Sequence, residues 1–297
     1  DFQLVKVDGI VIDAFKDELD PSWTWIILRS HNATIPLSVY DELQDREGLR
    51  RLVDAEITAK GCCLPVHKAH RPYMQSMVML HGISDVTVKT ASTADPFETP
   101  ILNAKSDNAA LHRRRTSGTV LATWNGNRIF LKCADGSSIQ ITFRRGIPLP
   151  NIGDNIDVVG FTQTDNFYLK LIQATWRKSA NTTSTPQVPV DIDPSRIIKS
   201  DSGIRQISTD YNGEIIRIRG FVRNCPQNTA LERMYLDCQN LLIPVDLSAL
   251  RTTPALLPGT EIEATGVCLM EFSQETLVTD FPRISGFTLI TRRDDDL

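Results

Sequence analysis

Residues 151–161 read NIGDNIDVVGF, a turn followed by a strand, and nearly the same sequence occurs twice more in the chain. It is LVDAEITAKGC at 52–62 and LPGTEIEATGV at 257–267. Aligned on the last glycine, the three copies place apolar residues in the same alternate columns, which is the pattern of a half-buried strand. Because the copies recur at a spacing of about 100 residues, the size of an independent domain, the sequence predicts one domain repeated three times.

The other strands of the predicted domain recur in the same order. Each copy begins with a strand that contains a glycine (Gly9, Gly118 and Gly220), followed by a hairpin partner and a third strand. A variable insert then precedes the fourth strand. In the first copy this insert spans residues 40–53, and its sequence predicts a short helix. The fifth strand of the first copy is predicted over 77–88. This order is that of an OB-type five-stranded barrel. The fold prediction is therefore all-β, with three tandem OB-like five-stranded barrels and short helical inserts.

The predicted domain boundaries follow from the repeat and from the composition of the joints. The barrels are predicted over 1–92, 109–178 and 196–297. Between them, 93–108 and 179–195 are rich in Pro, Ser, Thr, Asn and Asp, with little apolar periodicity, and are predicted to be linkers.

Charge is distributed unevenly along the chain. The formal net charge is −4, but residues 111–178 carry ten Lys and Arg against four Asp and Glu, while each flanking segment carries 11 against 16. The basic middle is consistent with a polyanion site or with three modules that attract one another. Because overall acidity opposes counterion-driven affinity, and because Trp25, Phe130 and Tyr235 form an aligned column that core packing explains, we do not expect nucleic acid as a partner. Single-stranded nucleic-acid binding through the middle module remains the alternative.

No catalytic motif of any specificity occurs in the sequence, which therefore predicts neither an enzyme nor a cofactor. The candidate contacts for a ligand or a partner lie in the middle copy. Trp124 stands beside the turn residues Asn125 and Gly126, where it is either an exposed aromatic that contacts a ligand or partner or a ring folded back over the barrel mouth. The candidate basic residues of the same copy are Arg128, Lys132, Arg144 and Arg145.

The best metal candidate is the segment CCLPVHKAH, which offers Cys62, Cys63, His67 and His70. Thiolates and imidazoles suit zinc, and these residues are close enough in sequence to converge from a loop. The competing interpretation is a strand end, since Cys63 has an apolar counterpart in the third copy without nearby histidines. The sequence is compatible with both interpretations.

Several segments, taken in order, resemble a known family. LVDAEITAKGCC, DPFETP, SGTVLATWNGNRIFLKCADGSSIQITF and IGDNIDVVGF resemble the extracytoplasmic amino-terminal region of some bacterial membrane-bound sensor histidine kinases and diguanylate cyclases. The resemblance implies a non-enzymatic sensing region at the periplasmic or extracellular face of the bacterial inner membrane, attached to the membrane through a segment outside this chain. It implies an unidentified small-molecule or protein ligand, and it leaves a homodimer open.

Overall fold

The computed structural model describes most of the chain. The described residues are 3–31, 33–40, 46–66, 75–103, 107, 110–165, 168–180, 187–201, 204–224, 233–239, 241–252, 255–272 and 284–297. The chain divides into two compact units: unit 1 is Asp1–Arg115 with Val159–Thr162, and unit 2 is Thr116–Val158 with Gln163–Leu297. The three-domain boundaries given by the sequence stay a prediction.

Barrel 1 is built from the first six strands and one helix. Its elements are β1 (Gln3–Lys16), β2 (Trp23–Ser30), β3 (Ala33–Tyr40), α1 (Arg46–Leu52), β4 (Glu56–Val66), β5 (Gln75–Leu80) and β6 (Val86–Thr90). The strand order is β1-β2-β3-β5-β4, and a further pairing of β1 with β4 closes the ring, while β6 adds to β4. The strand β5 runs parallel to β3, and the other pairs are antiparallel. This is the predicted OB-like order.

Barrel 2 has the same order and is a closed barrel. Its strands are β7 (Arg114–Trp124), β8 (Arg128–Cys133), β9 (Ser138–Phe143), β10 (Asn155–Asp165) and β11 (Tyr168–Lys178). The predicted tight turn between the first two strands is confirmed, because Asn125 and Gly126 have φ values of 50° and 69°, as a primed hairpin turn requires.

Barrel 3 repeats this arrangement with two additions in front of it. Its strands are β12 (Val190–Asp191), β13 (Ile198–Asp201), β14 (Ile204–Ile207), β15 (Ile215–Asn224), β16 (Arg233–Cys238), β17 (Leu241–Asp246), β18 (Glu261–Phe272) and β19 (Ile284–Ile290). The ring order is β15-β16-β17-β19-β18, closed by pairing of β15 with β18. The short strand β12 adds to β15, and β13 and β14 form a separate hairpin. The all-β fold of three OB-like barrels is thus confirmed.

The repeated glycines lie where neighbouring strands approach most closely. A Cβ on Gly9, Gly118 or Gly220 would stand 2.1–2.9 Å from a carbonyl oxygen of the second strand of the same barrel. A Cβ on Gly266 would stand 2.5 Å from the carbonyl oxygen of Ile290 on the fifth strand. Only glycine fits such contacts, so the glycine pattern of the sequence reports the tight coiling that closes a small barrel.

Two predicted elements differ in extent. The predicted fifth strand of barrel 1 is interrupted, because Asp85 accepts hydrogen bonds from the backbone N–H groups of His81 and Gly82 and holds a 3-10 turn between β5 and β6. The helix predicted over 40–53 is α1, and residues 41–45 lie outside the described part of the chain. Leu49 is its buried contact with the barrel.

Candidate functional site

The outer face formed by strands two and three of an OB barrel is where this fold binds oligonucleotides and oligosaccharides. Each barrel of this chain therefore offers one candidate face. In barrels 2 and 3 these faces lie within unit 2, and in barrel 1 the face lies within unit 1. The three faces differ in what covers them.

The face of barrel 2 is covered by barrel 3. Trp124 is only 3% exposed and stacks on Phe130, with ring centroids 4.9 Å apart. Both rings belong to a buried group of side chains that we call the inter-barrel cluster: Leu121, Ala122, Trp124, Phe130, Ile215, Val267 and Ile290. The first four come from barrel 2 and the last three from barrel 3. Of the two interpretations of Trp124, the exposed ring is therefore wrong, because the ring supplies apolar area to a contact between two barrels.

The basic residues that the sequence grouped with Trp124 do not converge on one site. Lys132 is half-buried at the edge of the inter-barrel cluster, where its Nζ lies 2.6 Å from Oε1 of Glu214. Arg128 stands at the other end of β8, about 13 Å away along the strand. Arg144 and Arg145 follow the end of β9; Arg144 is half-buried and Arg145 is exposed. Binding of a ligand by these five residues stays a prediction.

The metal hypothesis falls partly outside the described residues, since His67 and His70 are among those not described. Cys62 is exposed and Cys63 is half-buried, and the two are consecutive residues of β4. Side chains of consecutive strand residues point to opposite faces of a sheet. Within the described ranges, no three His, Cys, Asp or Glu side chains are grouped so that they could hold a metal ion. The zinc site stays a prediction.

Barrel 1 carries four aromatic side chains on its outer face, which we call the aromatic face: Phe15, Trp23, Trp25 and Tyr40. Phe15 lies opposite Trp25 in the register of β1 and β2, and Trp23 lies opposite Tyr40 in that of β2 and β3. The Trp23 and Tyr40 rings meet edge to face, with centroids 5.6 Å apart. Phe15 is 40% exposed and Tyr40 is 47% exposed, so the ends of this face are open to solvent.

Asp17 fixes one ring of the aromatic face. The indole Nε1 of Trp25 donates a hydrogen bond to Oδ2 of Asp17 at 2.8 Å, and the backbone N–H groups of Asp20 and Leu19 donate to Oδ1. The hydrogen bond from Trp25, followed by those from the backbone, lowers the pKa of Asp17 below its ordinary value. Trp25 is therefore held in one orientation by an ionised carboxylate.

The connection of β1 to β2, which lies beside the aromatic face, is acidic. It carries Asp17, Glu18 and Asp20. In OB barrels this connection flanks the binding face.

The corresponding face of barrel 3 is uncovered and mostly apolar. Phe221 is 52% exposed, Leu242 is 55% exposed, and both lie in register with Asp237. The half-buried Tyr235 lies one row further along. Arginines beside this face are engaged with carboxylates: the Nε of Arg219 lies 2.8 Å from Oε2 of Glu263. Acidic partners therefore offset the positive charge beside this face.

Sequence reasoning identified only one of the four residues of the aromatic face. It named Trp25 and assigned it to the barrel core together with Phe130 and Tyr235. Trp25 is half-buried, and its neighbour Ile26 is the fully buried core residue. The signal that could have found the face is the alternation WTW at 23–25, with an aromatic at the end of each adjoining strand.

No family model and no curated protein matches the chain. Among solved structures, it is similar to "drosophila Unr CSD456" at 12% identity, covering 89% of this chain and 91% of that one, with a TM-score of 0.24. It is similar to a murine DNA binding protein bound with double-stranded DNA at 8% identity, covering 58% and 97%, with a TM-score of 0.25. A deletion mutant of the single-stranded DNA binding protein from Thermus aquaticus matches at 12% identity, covering 62% and 96%, with a TM-score of 0.21. With TM-scores this low, these likenesses carry no argument about the function of this chain.

The expectation that nucleic acid is not a partner is corrected here. The physical argument behind the expectation was wrong, because it assigned the aromatic column to barrel cores. Phe130 lies between two barrels and Trp25 lies on an outer face. Net charge and core packing therefore exclude nothing about partners.

Proposed function

We propose that this chain is a non-enzymatic binding protein that holds single-stranded nucleic acid on the aromatic face of barrel 1. The observation that carries the proposal is the placement of four aromatic side chains on the outer surface of strands one to three of an OB barrel. This is the position at which bases stack in OB folds. Barrel 2 cannot serve in this way while barrel 3 covers Trp124 and Phe130.

The geometry of the face suits stacking of successive bases. Trp23 and Trp25 are two residues apart on β2, so their Cα atoms are separated by about 6.6 Å on the same side of the strand. Asp17 holds the ring of Trp25 in place before any ligand arrives, which lowers the entropic cost of binding. Each aromatic that stacks on a base contributes about 1–3 kcal/mol.

Charge sets the expected salt dependence. The carboxylates of Asp17, Glu18 and Asp20 in the β1–β2 connection repel phosphates. With few phosphate contacts, the affinity should fall only shallowly with salt, since the slope scales with the number of phosphates neutralised. Binding dominated by stacking is thus distinguishable from binding by a basic groove.

The proposal is tested by fluorescence anisotropy with a labelled oligothymidylate and the intact chain. Phe15→Ala and Tyr40→Ala should each weaken binding roughly 5- to 150-fold, the equivalent of about 1–3 kcal/mol. Phe221→Ala is the matched control, because it removes a similarly exposed phenylalanine from barrel 3. Its affinity should equal that of the unaltered chain. Equal losses in all three variants, or no binding by the unaltered chain, would overturn the proposal.

A second candidate function is the one that the family resemblance implies. It is ligand recognition at the periplasmic or extracellular face of the bacterial inner membrane, by the input region of a sensor kinase or a diguanylate cyclase. The observation that favours it is the acidic β1–β2 connection beside the aromatic face, which suits an uncharged or cationic ligand better than a polyanion. Failure to bind oligothymidylate at low salt, together with tryptophan quenching by a cationic or uncharged ligand, would select this function. Among the described residues, no helix is long and apolar enough to span a membrane.

A further inference from the structure

The contact between barrels 2 and 3 has two distinct sides. Barrel 2 contributes what we call the inserting face, the outer side of its first three strands, with Phe130, Lys132 and Ser138. Barrel 3 contributes the receiving face, Ile215, Val267 and Ile290, which stand side by side in the register of β15, β18 and β19. Fit is close at the rim, since a Cβ on Gly213 of barrel 3 would stand 2.6 Å from Cβ of Ser138. The Lys132–Glu214 ion pair joins the two sides.

Barrel 1 presents the receiving face again, but uncovered. Leu4 and Cys62 are opposite each other in β1 and β4, and Cys62 is opposite Met79 in β5. These three correspond by register to the residues of the receiving face of barrel 3: Leu4 to Ile215, Cys62 to Val267 and Met79 to Ile290. In barrel 3 those residues are at most 4% exposed; in barrel 1 Leu4 is 83% exposed, Met79 is 37% exposed and Cys62 is exposed.

Barrel 3 presents the inserting face again, also uncovered. Tyr235 corresponds to Phe130, because each lies on the second strand opposite the residue just past the bulge of the first strand. By the same register, Asp237 corresponds to Lys132 and Leu242 to Ser138. Phe221 and Leu242 are the exposed apolar residues of this surface, and Tyr235 and Asp237 between them are half-buried.

A related arrangement occurs among residues of unit 1. Arg29, which corresponds to Lys132, lies over the ring of Phe161 at 5.7 Å and donates a hydrogen bond to the carbonyl oxygen of Thr162 at 2.9 Å. Phe161 follows Gly160 as Val267 follows Gly266, so it occupies the same position of its barrel. All the interacting residues belong to unit 1. The position of Arg29 and Lys132 on the second strand, and the position of Phe161 and Val267 after the glycine of the fourth strand, are therefore both used for contact twice in one chain.

We propose that the chain assembles head to tail, with the inserting face of barrel 3 in one copy docked on the receiving face of barrel 1 in the next copy. The occupant of both faces is a second copy of this chain, and the contact repeats the one between barrels 2 and 3. At the rim of the proposed contact, Gln3 of the receiving face occupies the position of Glu214. Asp237 of the inserting face occupies the position of Lys132. An amide facing a carboxylate donates a hydrogen bond where the internal contact has an ion pair. Because inserting and receiving faces differ, the contact is heterologous and the assembly is open-ended.

The test uses the intact chain without nucleic acid, so its outcome is independent of the proposed function. Sedimentation velocity of the unaltered chain should show species that grow in size with concentration. Leu4→Glu blocks the receiving face and Leu242→Glu blocks the inserting face, and each variant alone should sediment as a monomer. An equimolar mixture of the two should form a dimer and nothing larger, because each partner retains one functional face. Both residues are exposed, so neither substitution disturbs a core.

Leu19→Glu is the matched control, since Leu19 is 97% exposed and lies outside both faces; it should assemble like the unaltered chain. A monomeric unaltered chain at every concentration would overturn the proposal. Assembly that persists in either blocked variant, or a mixture that stays monomeric although the unaltered chain assembles, would also overturn it, because a symmetric dimer gives those results.

Discussion

Replacement of Trp124 by alanine is the sharpest test of the contact between barrels 2 and 3. The indole is 3% exposed, stacks on Phe130 and lies within the inter-barrel cluster. If the ring were exposed, its removal would change the free energy of unfolding by less than about 0.5 kcal/mol. Because the indole is buried, the structure predicts a much larger loss in the free energy of unfolding.

The magnitude follows from burial. Truncation of a buried large aromatic to alanine costs about 3–5 kcal/mol, because the lost apolar contacts leave a cavity that the surroundings fill only in part. Nε1 of Trp124 is buried and has no hydrogen-bond partner among the described residues. An unpartnered buried donor costs about 1–3 kcal/mol, and Trp124→Phe removes this donor while keeping an aromatic ring. The loss in the free energy of unfolding should therefore be less than half as large for Trp124→Phe as for Trp124→Ala.

The assay is urea denaturation of the intact chain followed by circular dichroism, which does not depend on tryptophan emission. Trp176→Ala is the matched control: this tryptophan is half-buried, and its Nε1 donates to the carbonyl oxygen of Pro148 at 2.7 Å. Its loss should be about 1 kcal/mol. Equal free-energy losses for Trp124→Ala and Trp176→Ala would refute the buried contact.

Three further predictions concern other parts of the fold. Gly266→Ala places a Cβ 2.5 Å from a carbonyl oxygen, so the free energy of unfolding measured by urea denaturation should fall by about 1–3 kcal/mol. The control Gly286→Ala meets no atom within 4 Å and should lose less. A larger loss in Gly286→Ala would contradict the close strand contact at Gly266. Hydrogen bonds from Trp25 and the backbone lower the pKa of Asp17 below 3.8. The stability that ionised Asp17 contributes is therefore present above that value and is lost as pH falls through the lowered pKa. Asp17→Asn should reduce the loss of stability at acidic pH, and an unchanged loss would count against the Trp25 contact. Burial raises the pKa of the Cys268 thiol, so a thiol reagent at mildly alkaline pH should label Cys268 only after denaturation, and rapid labelling of the native chain would contradict its burial.

The sequence predicts the barrel repeat well because the repeat is local. Alternation and the glycine of each first strand reflect contacts within one strand or with the strand that follows it in sequence. The glycine in each first strand, such as Gly118, lies where a carbonyl oxygen of the second strand leaves no space for a Cβ, so the glycine pattern indicates this close contact. Strand order then follows from the position of the variable insert.

The functional faces could not be predicted in the same way, because exposure depends on contacts between barrels. Trp124 and Phe15 occupy the same register position of their barrels, opposite Arg128 and Trp25 respectively. One is buried and the other is 40% exposed. Nothing in the two local sequences distinguishes them, since the difference lies in whether a neighbouring barrel covers the outer face. The basic residues of the middle copy misled for the same reason, because Lys132 is engaged by Glu214 of another barrel.

Photocrosslinking tests the central claim most directly. A single-stranded oligonucleotide carrying 4-thiothymidine would be irradiated with the intact chain, and the attached peptides identified by mass spectrometry. The account predicts crosslinks at the aromatic face of barrel 1, in the peptides that contain Phe15, Trp23, Trp25 and Tyr40, and none at Trp124 or Phe130. Crosslinks concentrated in barrel 2, or none in barrel 1 under conditions where the oligonucleotide binds, would contradict it.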